Sequence, residues 1–219
     1  MGFDPTWEEI FRSRSWGRYP SEDAVRLVAR QFFGVSNRRE ISCLDLGCGG
    51  GAHTWFLARE GFSVTAVDGS EAAVRQTRAL LDGEQCTADV RVCGFLDLPF
   101  DDVSFDCLLD WGAVQHNPWV DIVDIHSKIF RMLKPGGWLF ASMLNVESSH
   151  PTARKDERGR DMEGFRAGTI DQDVFVHLTS GEELTKLTAP YSHVSIDTIE
   201  KTHDGGRSRI AQFLVAARK

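Results

Sequence analysis

The chain is poor in the features that mark several protein classes. Its 219 residues hold five cysteines, an odd number with no C-x-x-C pair. Neither a disulfide framework nor a zinc site is expected, and the cysteines suit a reducing compartment. No segment approaches ~20 apolar residues, and the first residues lack a basic stretch followed by an apolar core, so neither membrane insertion nor secretion is expected. Long basic runs are missing too. Lys and Arg total 25 against 32 Asp and Glu, a formal net charge of −7, which argues against a nucleic-acid surface. The densest basic patch, residues 154–160, is interrupted by acids and reads as a solvated loop. Internal repeats, low-complexity tracts and a linker to a second domain are absent. These exclusions leave one cytoplasmic domain over residues 1–219, a monomer or homodimer, with a small-molecule partner and neither a membrane nor a nucleic acid.

Residues 41–70, ISCLDLGCGGGAHTWFLAREGFSVTAVDGS, carry the strongest signal. Cys43, Leu44 and Leu46 suit a central strand, and Gly47, Gly49 and Gly51 mark a tight turn with exposed backbone N–H groups. Residues 52–59 read as a helix starting at that turn. Residues 64–67 read as a second strand ending at Asp68, where a carboxylate can accept two hydrogen bonds from ribose hydroxyls. This strand, turn, helix and strand make a nucleoside site, with Gly47, Cys48, Gly49, Gly51, Asp68 and Gly69 as its binding residues. The glycines fit both the dinucleotide pattern G-x-G-x-x-A and D-x-G-x-G-x-G. Asp45 separates the two, because a pyrophosphate beside it would suffer like-charge repulsion. S-adenosylmethionine has no phosphate, and its ammonium and sulfonium favour a carboxylate near the turn, directly or through water.

Strand and helix continue to alternate. Residues 71–81 are helical in period, 89–93 strand-like, and 105–109 a short apolar run ending at Asp110. Ile122, Ile125, Ile129 and Leu133 share a helical face, ended by LKPGG at 133–137. Residues 138–143 read as a fifth strand, and 194–199 and 210–216 bracket Asp204, Gly205 and Gly206 as a hairpin, making seven strands. With LPF at 98–100, SFD at 104–106 and LKPGG added to the glycine turn, the chain resembles the class I S-adenosylmethionine-dependent methyltransferases over roughly residues 42–143. The resemblance implies an α/β, Rossmann-like, mostly parallel seven-stranded sheet of order 3-2-1-4-5-7-6. One strand would be antiparallel and helices would cover both faces. It also implies methyl transfer to a small molecule by in-line displacement. Two readings stand beside it: a non-catalytic binder of the same cofactor, and a nicotinamide oxidoreductase, which Asp45 disfavours.

Many relatives in that family place an acid directly after the third strand to meet the adenine amino group. The matching position here is Gly94, which leaves Phe95 and Leu96 to offer backbone groups and an apolar face. Asp97 is either a substitute for the acid or a turn-forming carboxylate. Asp110 and Trp111 stand at the carboxyl end of the fourth strand, where open α/β sheets hold ligands. Asp110 would meet the cofactor's amino end or a cationic acceptor, which the mild acidity of the chain also favours. His116 and Asp110 are the candidate catalytic residues, His116 being either a base or a packing histidine. Residues 1–33 would form a cap, with Trp7 as anchor and Arg18 and Tyr19 as cofactor contacts through the methionine carboxylate or the sulfonium. A helix follows from near Ser21. Residues 145–179 read as a lid, polar and aperiodic over 145–173, with His150 and His177 near its ends. Val174, Val176 and Leu178 alternate before a capping box at Ser180 and Glu183.

Overall fold

The computed structural model describes residues 3–165 and 174–219. The chain runs α1 (Thr6–Ser13), α2 (Glu22–Phe32), β1 (Ser42–Leu46), α3 (Ala52–Arg59), β2 (Ser63–Asp68), α4 (Glu71–Gly83), β3 (Asp89–Val92), β4 (Phe105–Trp111) and α5 (Trp119–Met132). It continues with β5 (Leu133–Leu144), β6 (Arg154–Lys155), β7 (Asp161–Phe165), β8 (Val174–His177), α6 (Gly181–Thr188), β9 (His193–His203) and β10 (Ser208–Arg218). Seven strands form one sheet in the order β3-β2-β1-β4-β5-β10-β9. Since β9 and β10 are the sixth and seventh strands of this sheet, the order is the expected one. β10 is the antiparallel strand, paired against both β5 and β9.

The central strands are apolar on both faces because helices cover both. Leu44 and Leu46 of β1 and Leu108 of β4 pack with Ile125 and Ile129 of α5 and Leu184 of α6. The alternate residues Cys43, Cys107 and Leu109 face the other way, onto Val28 and Phe32 of α2 and Phe56 and Leu57 of α3. Direct pairing of Cys43 with Cys107 and of Leu44 with Leu108 keeps the two sets apart. Burying each of these leucines contributes about 1.5–3 kcal/mol. The frame that results fixes where the ends of β1, β2 and β4 lie.

The boundaries differ from the sequence reading in informative ways. α5 begins at Trp119, directly after Pro118, and stops at Met132, so LKPGG opens β5 rather than closing the helix. Pro135 cannot continue a helix, and Gly136, at φ +81°, donates its N–H to the Lys219 carbonyl. α1 was not expected at all. The polar stretch from 145 carries β6 and β7, which join β8 in a second sheet of order β6-β7-β8, where the sequence reading had an irregular lid. Met162, Val174 and Val176 bury one face of it against Ile10, Leu144 and Leu178. Strands of two to five residues among charges leave too short a period to read. Residues 166–173, also part of the expected lid, lie outside the described residues. Ser180 and Glu183 form the expected capping box of α6. Among the described residues no helix is long and apolar enough to cross a membrane.

Candidate active site

The carboxyl ends of β1, β2 and β4 open onto a cavity of about 600 Å³. Its floor is the turn 47–51. Gly47 sits at φ +77°, and a Cβ there would lie 2.2 Å from the Ala113 Cβ, so no other residue fits. Four of the five backbone donors of this turn are already engaged within the protein. The N–H groups of Gly47 and Cys48 donate to the Val67 carbonyl at 2.8 and 3.0 Å, and that of Gly51 to the Cys48 carbonyl at 2.9 Å. The Gly49 N–H donates to Asp68 Oδ2 at 2.9 Å.

Asp45 occupies the place where a helix N-terminus would hold an anion. The Thr54 hydroxyl, in the first turn of α3, donates to Asp45 Oδ2 at 2.6 Å, and the Thr54 backbone amide favours the same carboxylate. A phosphate would therefore meet mostly spent amides and a helix end already filled by the protein's own carboxylate. Burial, reinforced by the nearby Asp68 charge, pushes Asp45 up to about 7 against those Thr54 bonds.

Asp68 closes the opposite side of the turn and faces the cavity. Its Oδ2 takes the Gly49 N–H and its Oδ1 the Ser70 N–H, each at 2.9 Å. Each oxygen keeps a further lone pair for a ligand hydroxyl. Burial raises its pKa, and the Ser70 and Gly49 amides work against that. Gly94, Phe95, Leu96 and the exposed Asp97 line the side next to β3, and Trp111 and Ala113 the side next to β4.

The N-terminal segment forms the cover. Glu8 of α1 accepts from the Ser70 hydroxyl at 2.5 Å and from the Ala72 N–H at 3.0 Å, at the N-terminus of α4. Those two bonds, chiefly the hydroxyl, pull its pKa down to about 2. The Gln76 amide of α4 donates to the carbonyls of Phe11 and Arg14 at 2.5 and 2.8 Å. So fastened, the segment brings Phe3, Trp7, Phe11, Trp16 and Tyr19 onto the cavity wall.

His116 ends a short 3₁₀ turn after β4. Its Nδ1 lies 2.7 Å from the Phe175 carbonyl oxygen of β8, which can only accept, so Nδ1 carries the proton. The Gln115 carbonyl accepts from the Leu144 N–H at 2.6 Å, which turns the Gln115 amide group toward His116 Nε2 at 3.5 Å. Nε2 is thus the basic nitrogen. Desolvation lowers the pKa of this ring to about 4, with the Phe175 carbonyl and the Asp4 carboxylate opposing. Trp7 packs edge-on to it, 4.6 Å between ring centres.

Gly47, Cys48, Gly49, Asp68, Gly69, Phe95, Leu96, Trp111, Tyr19 and His116 line this one cavity. The other sequence-derived candidates are placed elsewhere. Arg18 pairs with Glu84 at the far end of α4. A Cβ on Gly51 would lie 2.9 Å from Thr77, so this glycine serves helix packing. Asp45 lies beneath the turn, 1% exposed. Asp110, equally enclosed, accepts the N–H groups of Ala113 and Val114 at 3.1 Å each. Burial pushes Asp110 up to about 6, and with its carboxylate off the wall it gives no support to a cationic acceptor. His177 is turned away as well, bonded to Asp161 at 2.6 Å. Sequence reasoning missed Phe11, His53 and Gln115, and on the β9–β10 hairpin Lys201, His203, Ile210 and Gln212. For Phe11 the helical spacing from Trp7 was a usable signal; the hairpin residues carry none.

The family described as "Methyltransferase domain" matches residues 43–137. Over 130 residues the chain is 35% identical to the 24-methylenesterol C-methyltransferase 2 of Oryza sativa subsp. japonica, covering 57% of this chain and 34% of that protein. Over 123 residues it is 33% identical to the ubiquinone biosynthesis O-methyltransferase of Maricaulis maris, covering 53% and 46%. The chain thus spans a third to a half of the length of these relatives. Among solved structures, the PH0226 protein of Pyrococcus horikoshii OT3 shares the fold with a TM-score of 0.67 at 20% identity, over 99% of this chain and 96% of that one.

Proposed function

We propose, from the match of residues 43–137 to a family described as a methyltransferase domain, that this protein is a cytoplasmic S-adenosylmethionine-dependent methyltransferase acting on a small molecule. The observation that carries the reading is the pairing of Asp68, on the cavity wall, with a glycine turn in which four of the five amides are already bonded. A cofactor with a ribose diol and no phosphate fits both. The names of the two curated relatives, an O-methyltransferase and a C-methyltransferase of small molecules, support the substrate class. Five cysteines without a disulfide among the described residues suit the reducing cytoplasm.

Asp68 would accept the ribose hydroxyls on its spare lone pairs. Phe95 and Leu96 would border the adenine, and Trp111 the side next to β4. When bound, S-adenosylmethionine supplies an electrophilic methyl group open to in-line displacement. His116 Nε2 takes the proton of an acceptor hydroxyl, its ring held by the Phe175 carbonyl. Trp7, Phe11 and Trp16 keep water from the reacting end. Isothermal titration with S-adenosylmethionine and S-adenosylhomocysteine, with a reduced nicotinamide as control, tests the reading. Micromolar binding of both sulfur ligands alone is expected; binding of neither, or of the nicotinamide instead, overturns it. Formation of S-adenosylhomocysteine with an accepted substrate then separates catalysis from mere binding.

A further inference from the structure

We propose that the acceptor is an aromatic acid, with its anionic group held by Lys201 and His203 and its methyl-accepting end beside His116, a proposal that rests on the methyltransferase reading. Both Lys201, a cation, and His203, a hydrogen-bond donor, line the cavity. Strand register places them on one stripe. Lys201 is opposite Ile210, Ile199 opposite Gln212 and His203 opposite Ser208, while Gln212 is opposite Leu144 on the other side of β10. Alternate residues share a face, so the wall runs from Leu144 across Gln212 and Ile210 to Lys201 and His203. Leu144 is where the Gln115 amide is pinned beside His116. Two strand spacings across and two residues along put Lys201 roughly 12 Å from Leu144 at the backbone. An aromatic ring with a carboxylate bridges that gap once the lysine side chain reaches inward.

The charges in the cavity are sorted along the same line. Asp4 lines the end near His116 and opposes the fall in that ring's pKa, Asp68 and Asp97 line the side next to β2 and β3, and Lys201 and His203 stand on the hairpin wall. An anion is therefore repelled by the carboxylates and drawn to the hairpin wall. Neighbouring Arg209 is engaged with Glu147 and Glu200, whereas Lys201 and His203 have no ion pair or side-chain hydrogen bond among the described residues. Two unpaired donors on a cavity wall select for an anion locally, against the chain's net charge of −7. Between the two ends Ile210 and Leu144 on the sheet side and the Trp7 ring beside His116 give an apolar surface, interrupted by Gln212.

The test uses protein saturated with S-adenosylhomocysteine. It is titrated with 4-hydroxybenzoate and indole-3-carboxylate, with their methyl esters, and with 4-(aminomethyl)phenol. At least one acid is expected to bind about tenfold tighter than its ester and than the amine. Lys201→Ala with His203→Ala should erase roughly that tenfold preference while leaving the affinity for S-adenosylhomocysteine unchanged, which also reports that the double variant is folded. Equal or tighter binding of ester or amine, binding of neither acid, or a preference that survives the double substitution overturns the proposal. Failure of S-adenosylhomocysteine itself to bind is a separate result, which removes the methyltransferase reading and the acceptor proposal with it.

Discussion

Three aspartates end three adjacent strands, and their surroundings give one residue type three tasks. Asp45 fills the N-terminus of α3, Asp110 fastens the turn after β4, and Asp68 alone has lone pairs facing the cavity. Replacing Asp68 with alanine should weaken S-adenosylhomocysteine binding by roughly 1.5–3 kcal/mol, as for hydrogen bonds to a charged acceptor. Asp68→Asn should lose less, since its remaining carbonyl still takes one of the two backbone N–H groups. Arg18→Ala should leave the affinity unchanged, because its guanidinium is paired with Glu84 away from the cavity. Titration calorimetry on the three variants reads all of this, and full affinity in Asp68→Ala would remove Asp68 from the site.

At the scale of elements, the site depends on a helix that adds nothing to the sheet. α1 is fastened to the start of α4 through Glu8, which supplies two acceptor contacts to that helix end and a negative charge where one is favoured. Glu8→Ala should release the cover. We expect the dissociation constant for S-adenosylhomocysteine to rise about three- to tenfold, with faster proteolytic nicking between α1 and α2. Unaltered nicking and affinity would show that the aromatic packing holds α1 without Glu8. The alternating strands and helices from β1 to β5 were legible because each buries an apolar stripe of clear period against the sheet. α1 was not, since Trp7, Ile10 and Phe11 make barely two turns of pattern. β8 was legible as an extended stretch from the alternation of Val174, Val176 and Leu178, but β6 and β7 were hidden for the same reason, and with them the docking of the Phe175 carbonyl that sets the His116 tautomer. Asp45, Asp68 and Asp110 look alike in sequence; only the positions of Thr54, Ala113 and Val114 tell them apart.

Across the whole molecule, buried ionisable groups push stability in opposite directions as pH changes. Asp45 titrates at 3.8 as a free side chain and at about 7 in the fold. Between those values the native state holds the extra proton, so its contribution is full below about pH 4 and is lost as pH rises through 7. Asp110, raised to about 6, acts in the same sense. His53, His116 and His126 are lowered from 6.5 to about 4 by burial. Their native forms hold fewer protons than the unfolded chain over that window, so their contribution is present above 6.5 and lost as pH falls through 4. The wild-type profile is a sum of opposing slopes and cannot identify any one group, but a difference profile can. Asp45→Asn keeps an acceptor for the Thr54 hydroxyl and removes the titration. Each tenfold change in proton affinity between the folded and unfolded chain is worth about 1.36 kcal/mol, so relative to the wild type this variant should gain about 2–4 kcal/mol between pH 4 and pH 8. Urea unfolding at several pH values measures the difference. A flat difference between pH 4 and pH 8 would mean that Asp45 is ionised throughout, its charge held by Thr54 and the end of α3 despite its burial.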